Sequence, residues 1–277
     1  MALAYVNGRL IEEADAELSV FDHGLVVGDG VFETVLVWRG RPFALEAHLD
    51  RLARSAAGLG IGPVSRRELH GAAAAVVEAA GLAEARLRIT VTAGRGPLGS
   101  ARQSGPPSII VALEPLGEPH EHAAVHVVPW TRNERGALAG LKTTSYAENA
   151  LALARATSEG ADEAIFANTA AMLCEGTGSN VFVVLDGELC TPPLSSGCLA
   201  GVTRALVLAH HGGTERDVPI AAFRAEAVEE AFLTSSLRGV QPISAIDKAA
   251  LAWPGPVTKQ VAATYAALLE TPAPSLF

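Results

Sequence analysis

Gly140-Leu-Lys142-Thr-Thr-Ser-Tyr146 contains one of only three lysines in a chain of 277 residues, the others being Lys248 and Lys259. Arginine supplies the rest of the 21 basic residues. A lysine kept in such a chain invites a chemical reason, because lysine can lose its proton or form an imine and arginine cannot. Taken alone, Lys142 reads as an ordinary surface lysine. Its companions shift that balance. Downstream lies Glu175-Gly-Thr-Gly-Ser-Asn180. Leu199-Ala-Gly201-Val202-Thr203-Arg204 opens a helix, and Phe232-Leu-Thr-Ser235-Ser236-Leu-Arg238 is a strand running into a hydroxyl-rich turn. The last two segments offer backbone N–H groups and hydroxyls to an anion, and the helix start adds a favourable dipole. Arg51, in His48-Leu-Asp-Arg51, can add a cation from the first half of the chain.

In this order, and together with Asp22-His-Gly24 and Gly28-Asp-Gly-Val-Phe-Glu-Thr34, these segments resemble the class IV aminotransferases. These are the fold-type IV enzymes that use pyridoxal 5′-phosphate (PLP). The resemblance runs over nearly the whole chain, ending near Pro242. It implies a two-domain α+β or α/β fold like that of D-amino acid aminotransferases, with a small N-terminal and a larger C-terminal domain, and a homodimer. It implies that Lys142 forms the Schiff base with PLP and shuttles the proton, with Tyr146 near the cofactor O3′. Glu175 would face the pyridine nitrogen and Leu199 would pack on the ring. Arg51, Val202, Thr203, Ser235 and Ser236 would hold the phosphate. A carboxylate at the nitrogen keeps it protonated and makes the ring an electron sink. The pyridinium in turn gives Glu175 a charged partner, without which its burial is costly.

Within the family, Ser19-Val-Phe-Asp-His-Gly-Leu-Val-Val-Gly-Asp-Gly-Val-Phe-Glu-Thr34 looks like Gram-positive-type aminodeoxychorismate lyases. The leading expectation is therefore a 4-amino-4-deoxychorismate lyase that releases 4-aminobenzoate and pyruvate. Thr34 would relay a proton to the departing group, and Glu33, Arg88 and Arg95 would contact the substrate. Thr34 also reads as a plain β-branched strand residue, and Arg88 as part of a solvated strand face. The strand ends in Ala93-Gly94 where some relatives have Arg-Gly, which leaves Arg95, Arg102 or Arg238 to grip a substrate carboxylate. The alternative is an aminotransferase acting on D-amino acids, branched-chain amino acids or (R)-amines with a keto-acid acceptor. A PLP-binding protein without turnover is the distant third.

Composition bounds these readings. Apolar residues make up 49% and charged residues 18% of the chain, enough for a packed core and against dominant disorder. A net charge of −9 disfavours nucleic acid and anionic membranes as partners, leaving a small-molecule amine or amino acid. Cys174, Cys190 and Cys198 form neither a disulfide framework nor a zinc spacing, so no metal is expected. The N-terminus lacks a signal-peptide pattern and no long apolar run appears, so the expected location is cytoplasmic.

The pattern predicts a hairpin at Ala4–Ile11 turning on Asn7-Gly8, and a strand over Val31–Trp38 turning at Arg39-Gly40. It predicts a helix over Leu45–Leu59 stopped by Gly58 and Gly60, and a second helix capped by Ser65 with Glu68 and stopped by Gly81. Strands follow at Arg86–Thr92, where Leu87, Ile89 and Val91 share one face, and at Ser108–Leu113. Residues 1–113 form the small domain, 114–123 a Pro- and Gly-rich linker, and 124–277 the larger PLP-binding domain. There, strands are expected at Ala124–Val128, Glu163–Ala167, Asn180–Leu185, Glu188–Thr191 and Glu230–Ser235, with helices at Glu148–Glu159 and Thr203–His211.

Overall fold

A computed structural model describes residues 3–118, 120–224 and 227–271. It divides into two compact units. The first takes the chain up to Gly117 together with Leu141–Tyr146, and the second takes Glu118–Gly140 and the chain from Ala147 onward. The lysine segment therefore belongs to the first unit, although a linear division of the sequence would give it to the second.

The first unit contains β1 (Leu3–Val6), β2 (Arg9–Glu12), α1 (His23–Val26), β3 (Gly30–Trp38), β4 (Arg41–Pro42), α2 (Leu45–Leu59), α3 (Arg66–Ala80), β5 (Ala85–Thr92) and β6 (Ser108–Pro115). The strands form one antiparallel sheet in the order β2-β1-β6-β5-β3-β4. Asn7 and Gly8 take the two positive φ values, 47° and 91°, that a tight hairpin requires. The core joins Val31, Val35, Leu87, Ile89, Val91 and Val111 to Leu49, Leu52, Leu69 and Val76 of α2 and α3. Strand alternation then sends Phe32, Thr34, Arg88 and Thr90 to the opposite face.

Ser65 caps α3, its hydroxyl accepting the Glu68 N–H at 3.2 Å. The Glu68 carboxylate does not close a capping box; it accepts the Tyr5 hydroxyl at 3.0 Å. Gly60 ends α2 in the left-handed region. Gly58, expected to share that role, lies inside the helix, where a Cβ would run into the Leu141 side chain.

The second unit contains β7 (Ala123–Arg132), α4 (Ala147–Ser158), β8 (Glu163–Asn168), β9 (Leu173–Gly176), β10 (Asn180–Leu185), β11 (Glu188–Thr191), α5 (Val202–His210), β12 (Thr214–Glu215), α6 (Ile220–Arg224), β13 (Glu230–Ser235), β14 (Gly239–Ile246), β15 (Ala249–Ala250) and α7 (Pro256–Leu269). Its sheet runs β12-β11-β10-β13-β14-β7-β8-β9, with β15 beside β14. β14 to β7 and β7 to β8 are parallel pairs. Phe182 and Phe232 stack with centroids 4.9 Å apart and pack with Val207 of α5 and Val261 of α7. Phe223 of α6 joins a second core with Val181, Val183, Leu233 and Ile243. Cys174, Cys190 and Cys198 are buried free thiols. Among the described residues no helix is long and apolar enough to cross a membrane, and no His, Cys, Asp and Glu group could hold a metal ion.

Candidate active site

Lys142 is fixed by its backbone. Its carbonyl accepts the Phe32 N–H at 3.0 Å and its own N–H donates to Ser55 Oγ at 3.1 Å. Thr144 N–H donates to the Gly30 carbonyl at 2.8 Å, so the lysine segment runs antiparallel along the start of β3. This close approach explains the glycines of Gly28-Asp-Gly30. Gly28 has φ +68°, and a Cβ there would lie 2.7 Å from Ser145 Oγ; at Gly30 it would lie 2.9 Å from Thr144 Oγ1. The result sets Lys142 Nζ 4.4 Å from the centroid of the Phe32 ring. Tyr146 meets the same ring edge-on at 5.3 Å.

Arg51 of α2 meets β3 one residue beyond Phe32, at Glu33, on the helix-covered side of the sheet. Its Nε and Nη2 donate to the two Glu33 oxygens at 2.8 and 2.6 Å, and His48 Nδ1 donates to Oε2 at 2.7 Å. All three side chains are buried. Burial raises the Glu33 pKa, but Arg51 and His48 outweigh it and bring the carboxyl down to about 2. Burial lowers the His48 pKa, which keeps the ring neutral and makes Nδ1–H the donor. Glu33 was expected to touch substrate. Its carboxylate instead points away from the face of Thr34 and Arg88 and spends both oxygens orienting Arg51 and His48.

Four arginines were candidates for a substrate carboxylate. Arg102 is held by both oxygens of Asp29, at 2.6 and 2.5 Å. Arg238 is engaged with Gln241 and Glu163. Arg95 is exposed. Arg88 differs. Its guanidinium carbon sits 3.3 Å from the Phe32 centroid, and Nε reaches only Thr90 Oγ1 at 3.4 Å. Among the described residues no carboxylate lies within ion-pairing distance of it. Burial lowers its pKa to about 10. Thr34 faces Arg88 directly across the β3–β5 pair. Arg86, by contrast, is a surface residue paired with Glu114 at 2.8 Å.

In the second unit, β9 presents Glu175. Its Oε2 accepts the Leu199 N–H at 2.8 Å, and Arg132 Nε lies 3.2 Å from Oε1. Arg132 also stacks over Phe166 at 4.3 Å. These contacts orient the Glu175 carboxyl group, which as a carboxylate can accept a pyridinium N–H. Leu199 is thus tied into the site through its backbone, because its carbonyl also accepts Asn180 Nδ2 at 2.9 Å. A Cβ at Gly201 would run into Asn180 Oδ1. Gly201 caps α5 without a side-chain hydrogen bond, so the cap residue itself does not occupy the first-turn amides. Ser235 ends β13, its hydroxyl accepting the Arg238 N–H at 3.2 Å, and Ser236 follows in the turn. Tyr265 of α7 would be struck by any Cβ at Gly239, which closes that turn tightly. A helix start without a side-chain cap and a hydroxyl-bearing turn suit a phosphate, and the Glu175 carboxyl group suits a ring nitrogen. The donor set fits PLP.

Residues 30–246 match the family described as amino-transferase class IV. The chain belongs to that family of PLP-dependent enzymes. It is 36% identical over 253 residues to a Methanocaldococcus jannaschii protein provisionally named a branched-chain-amino-acid aminotransferase, covering 88% of this chain and 87% of that one. It is 31% identical over 256 residues to the aminodeoxychorismate lyase of Bacillus subtilis, covering 89% and 87%. The crystal structure of a branched-chain aminotransferase from Thermoproteus uzoniensis with norvaline superposes with a TM-score of 0.89 at 30% identity, covering 97% and 95%. PLP-bound forms occur among the solved proteins of this fold. The balance of these relatives favours the aminotransferase alternative over the lyase expected first.

Sequence reasoning left several site residues without a role. Phe32 and Asn180 stand inside the quoted motifs, but nothing in the pattern says what their side chains touch. Arg132 sits at the end of a strand expected to stop at Val128. His48 is marked only by its place three residues before Arg51, and Glu33 was given substrate rather than Arg51 as its partner.

Proposed function

We propose that this protein is an aminotransferase that takes the amino group from an α-amino acid with an apolar side chain, of the branched-chain class, and passes it to a 2-oxo acid. The observation that carries this reading is Arg88, a largely buried guanidinium with no carboxylate partner among the described residues, lying on the same Phe32 ring as Lys142. A substrate α-carboxylate supplies the missing anion. A simple amine does not. The branched-chain names of two of the relatives described above support the choice of side chain.

PLP supplies the electron sink that lets a bond to the substrate α-carbon break. The chain supplies the rest. Lys142 Nζ holds the cofactor and moves the substrate proton. Glu175, oriented by Arg132 and the Leu199 N–H, would hold a proton on the ring nitrogen. Arg51, pre-oriented by Glu33, and the Val202, Thr203, Ser235 and Ser236 groups hold the phosphate. Arg88 orients the substrate by its carboxylate, and Thr34 offers a hydroxyl on the same strand face. The active form is proposed to be a homodimer. Val20, Phe21, Leu25 and Val27 form an exposed apolar stretch just before β3 that suits a partner copy.

The test mixes the PLP-loaded protein with one amine at a time, without a keto acid, and follows the visible spectrum. L-leucine or L-valine should convert the cofactor to its pyridoxamine form faster than (R)-1-phenylethylamine or D-alanine does. Rapid release of 4-aminobenzoate and pyruvate from aminodeoxychorismate, with slow conversion by amino acids, would return the assignment to the lyase.

A further inference from the structure

Glu163 opens β8 and is only 2% exposed. Its Oε1 accepts the N–H groups of Thr177 and Ala164 at 3.0 and 3.1 Å, together with the Thr177 hydroxyl. Its Oε2 accepts the Ser179 hydroxyl at 3.2 Å and lies 3.4 Å from Arg238 Nη2. Thr177 and Ser179 belong to the loop directly after Glu175. Arg238 belongs to the turn directly after Ser235-Ser236. On the far side, the Thr177 carbonyl accepts Asn149 Nδ2 at 2.5 Å, and Asn149 Oδ1 accepts Arg132 Nη2 at 3.1 Å. A continuous run of polar contacts therefore links Glu175, Arg132, Asn149, Thr177, Glu163 and Arg238. A buried carboxylate is costly unless it is both saturated and paired. A neutral acceptor would satisfy the Thr177 loop; among the described residues the cation paired with Glu163 is Arg238.

We propose that Glu163 is a positioning residue for the cofactor: it locks the loop behind Glu175 to the Ser235–Arg238 turn, so the grip on the phosphate depends on it. This rests on the reading that Ser235 and Ser236 hold the phosphate.

The experiment measures the affinity of the apo-protein for PLP and for pyridoxal, which lacks the phosphate. Glu163→Gln keeps an oxygen for Thr177 but turns an amide N–H group toward Arg238. It should weaken PLP roughly tenfold, the scale of one charged hydrogen bond, and pyridoxal by less than about twofold. Arg238→Met breaks the same link from its solvent side and should give the same selective loss. The double variant should be no worse than either single one. If Glu163→Gln does not fold, Arg238→Met decides alone. Equal losses for the two ligands, unchanged affinities, or additive losses in the double variant overturn the proposal. Ser236→Ala separates the two layers. If it loses PLP selectively while the Glu163 and Arg238 variants do not, only the positioning role falls. If it shows no selective loss, the phosphate assignment fails and takes this proposal with it.

Discussion

Replacing Arg88 by Met should make the protein more stable and less active at once. Burial brings the Arg88 pKa to about 10. Arginine stays charged at neutral pH, so the fold carries the cost of that charge. A displacement of this size corresponds to at most about 3 kcal/mol. Residual solvent contact reduces it, and losing the cation–π contact with Phe32 returns about 0.5–2 kcal/mol. The net expectation is a gain of roughly 1 kcal/mol, or a rise in Tm of a few degrees. Removing a charged hydrogen bond to the substrate carboxylate costs about 1.5–3 kcal/mol, so kcat/KM for L-leucine should fall roughly 10- to 150-fold. An amine without a carboxylate should lose much less. Thermal unfolding of the apo-protein and the two substrate assays read these effects. A fall in Tm with kcat/KM for leucine unchanged would show that Arg88 is a structural residue. Equal losses on the amino acid and the amine would show that it does not read the carboxylate.

Glu175→Gln keeps an oxygen for the Leu199 N–H, so PLP should remain bound while the rate of amino-acid conversion drops by about 100-fold or more; stopped-flow spectra check this, and an unchanged rate removes the electron-sink role. For Glu33, the folded pKa of about 2 lies below the ordinary 4.5. Its stabilisation is therefore complete above about pH 4.5 and is lost as pH falls toward 2, about 3 kcal/mol in all. Denaturant titrations should show the stability gap between wild type and Glu33→Gln narrowing over that window, and a constant gap would contradict the ion-paired assignment.

The sequence carried most of the frame because its local signals agree with the packing. Asn7-Gly8, Ser65, Gly60 and Gly81 act where turn and cap chemistry place them, and the alternation of Leu87, Ile89 and Val91 assigns the core face of β5. Other elements gave no such signal. β9 is four residues ending in glycine. β14 starts at a glycine and contains Pro242, which argues against an interior strand. α7 buries only Thr258, Val261 and Tyr265 in a run of small residues. β7 continues to Arg132 through Pro129, where its register with β8 shifts. At the site, motif order gave the residue types, but partners came only from three dimensions. The Glu33 carboxylate is one strand position from Thr34 and faces the other way. Arg132 and Glu163 become visible only once β7, β8 and β9 lie side by side.

The most direct test of the central claim traps the cofactor. Borohydride reduction of the PLP-loaded protein fixes the cofactor on its lysine as a secondary amine, and peptide mass spectrometry locates it among three lysines. The account predicts a single pyridoxyl adduct on Lys142 and none on Lys248, which is exposed and ion-paired with Glu159 at 2.8 Å. An adduct on Lys248 or Lys259 alone, or none on a protein that has bound PLP, would contradict it.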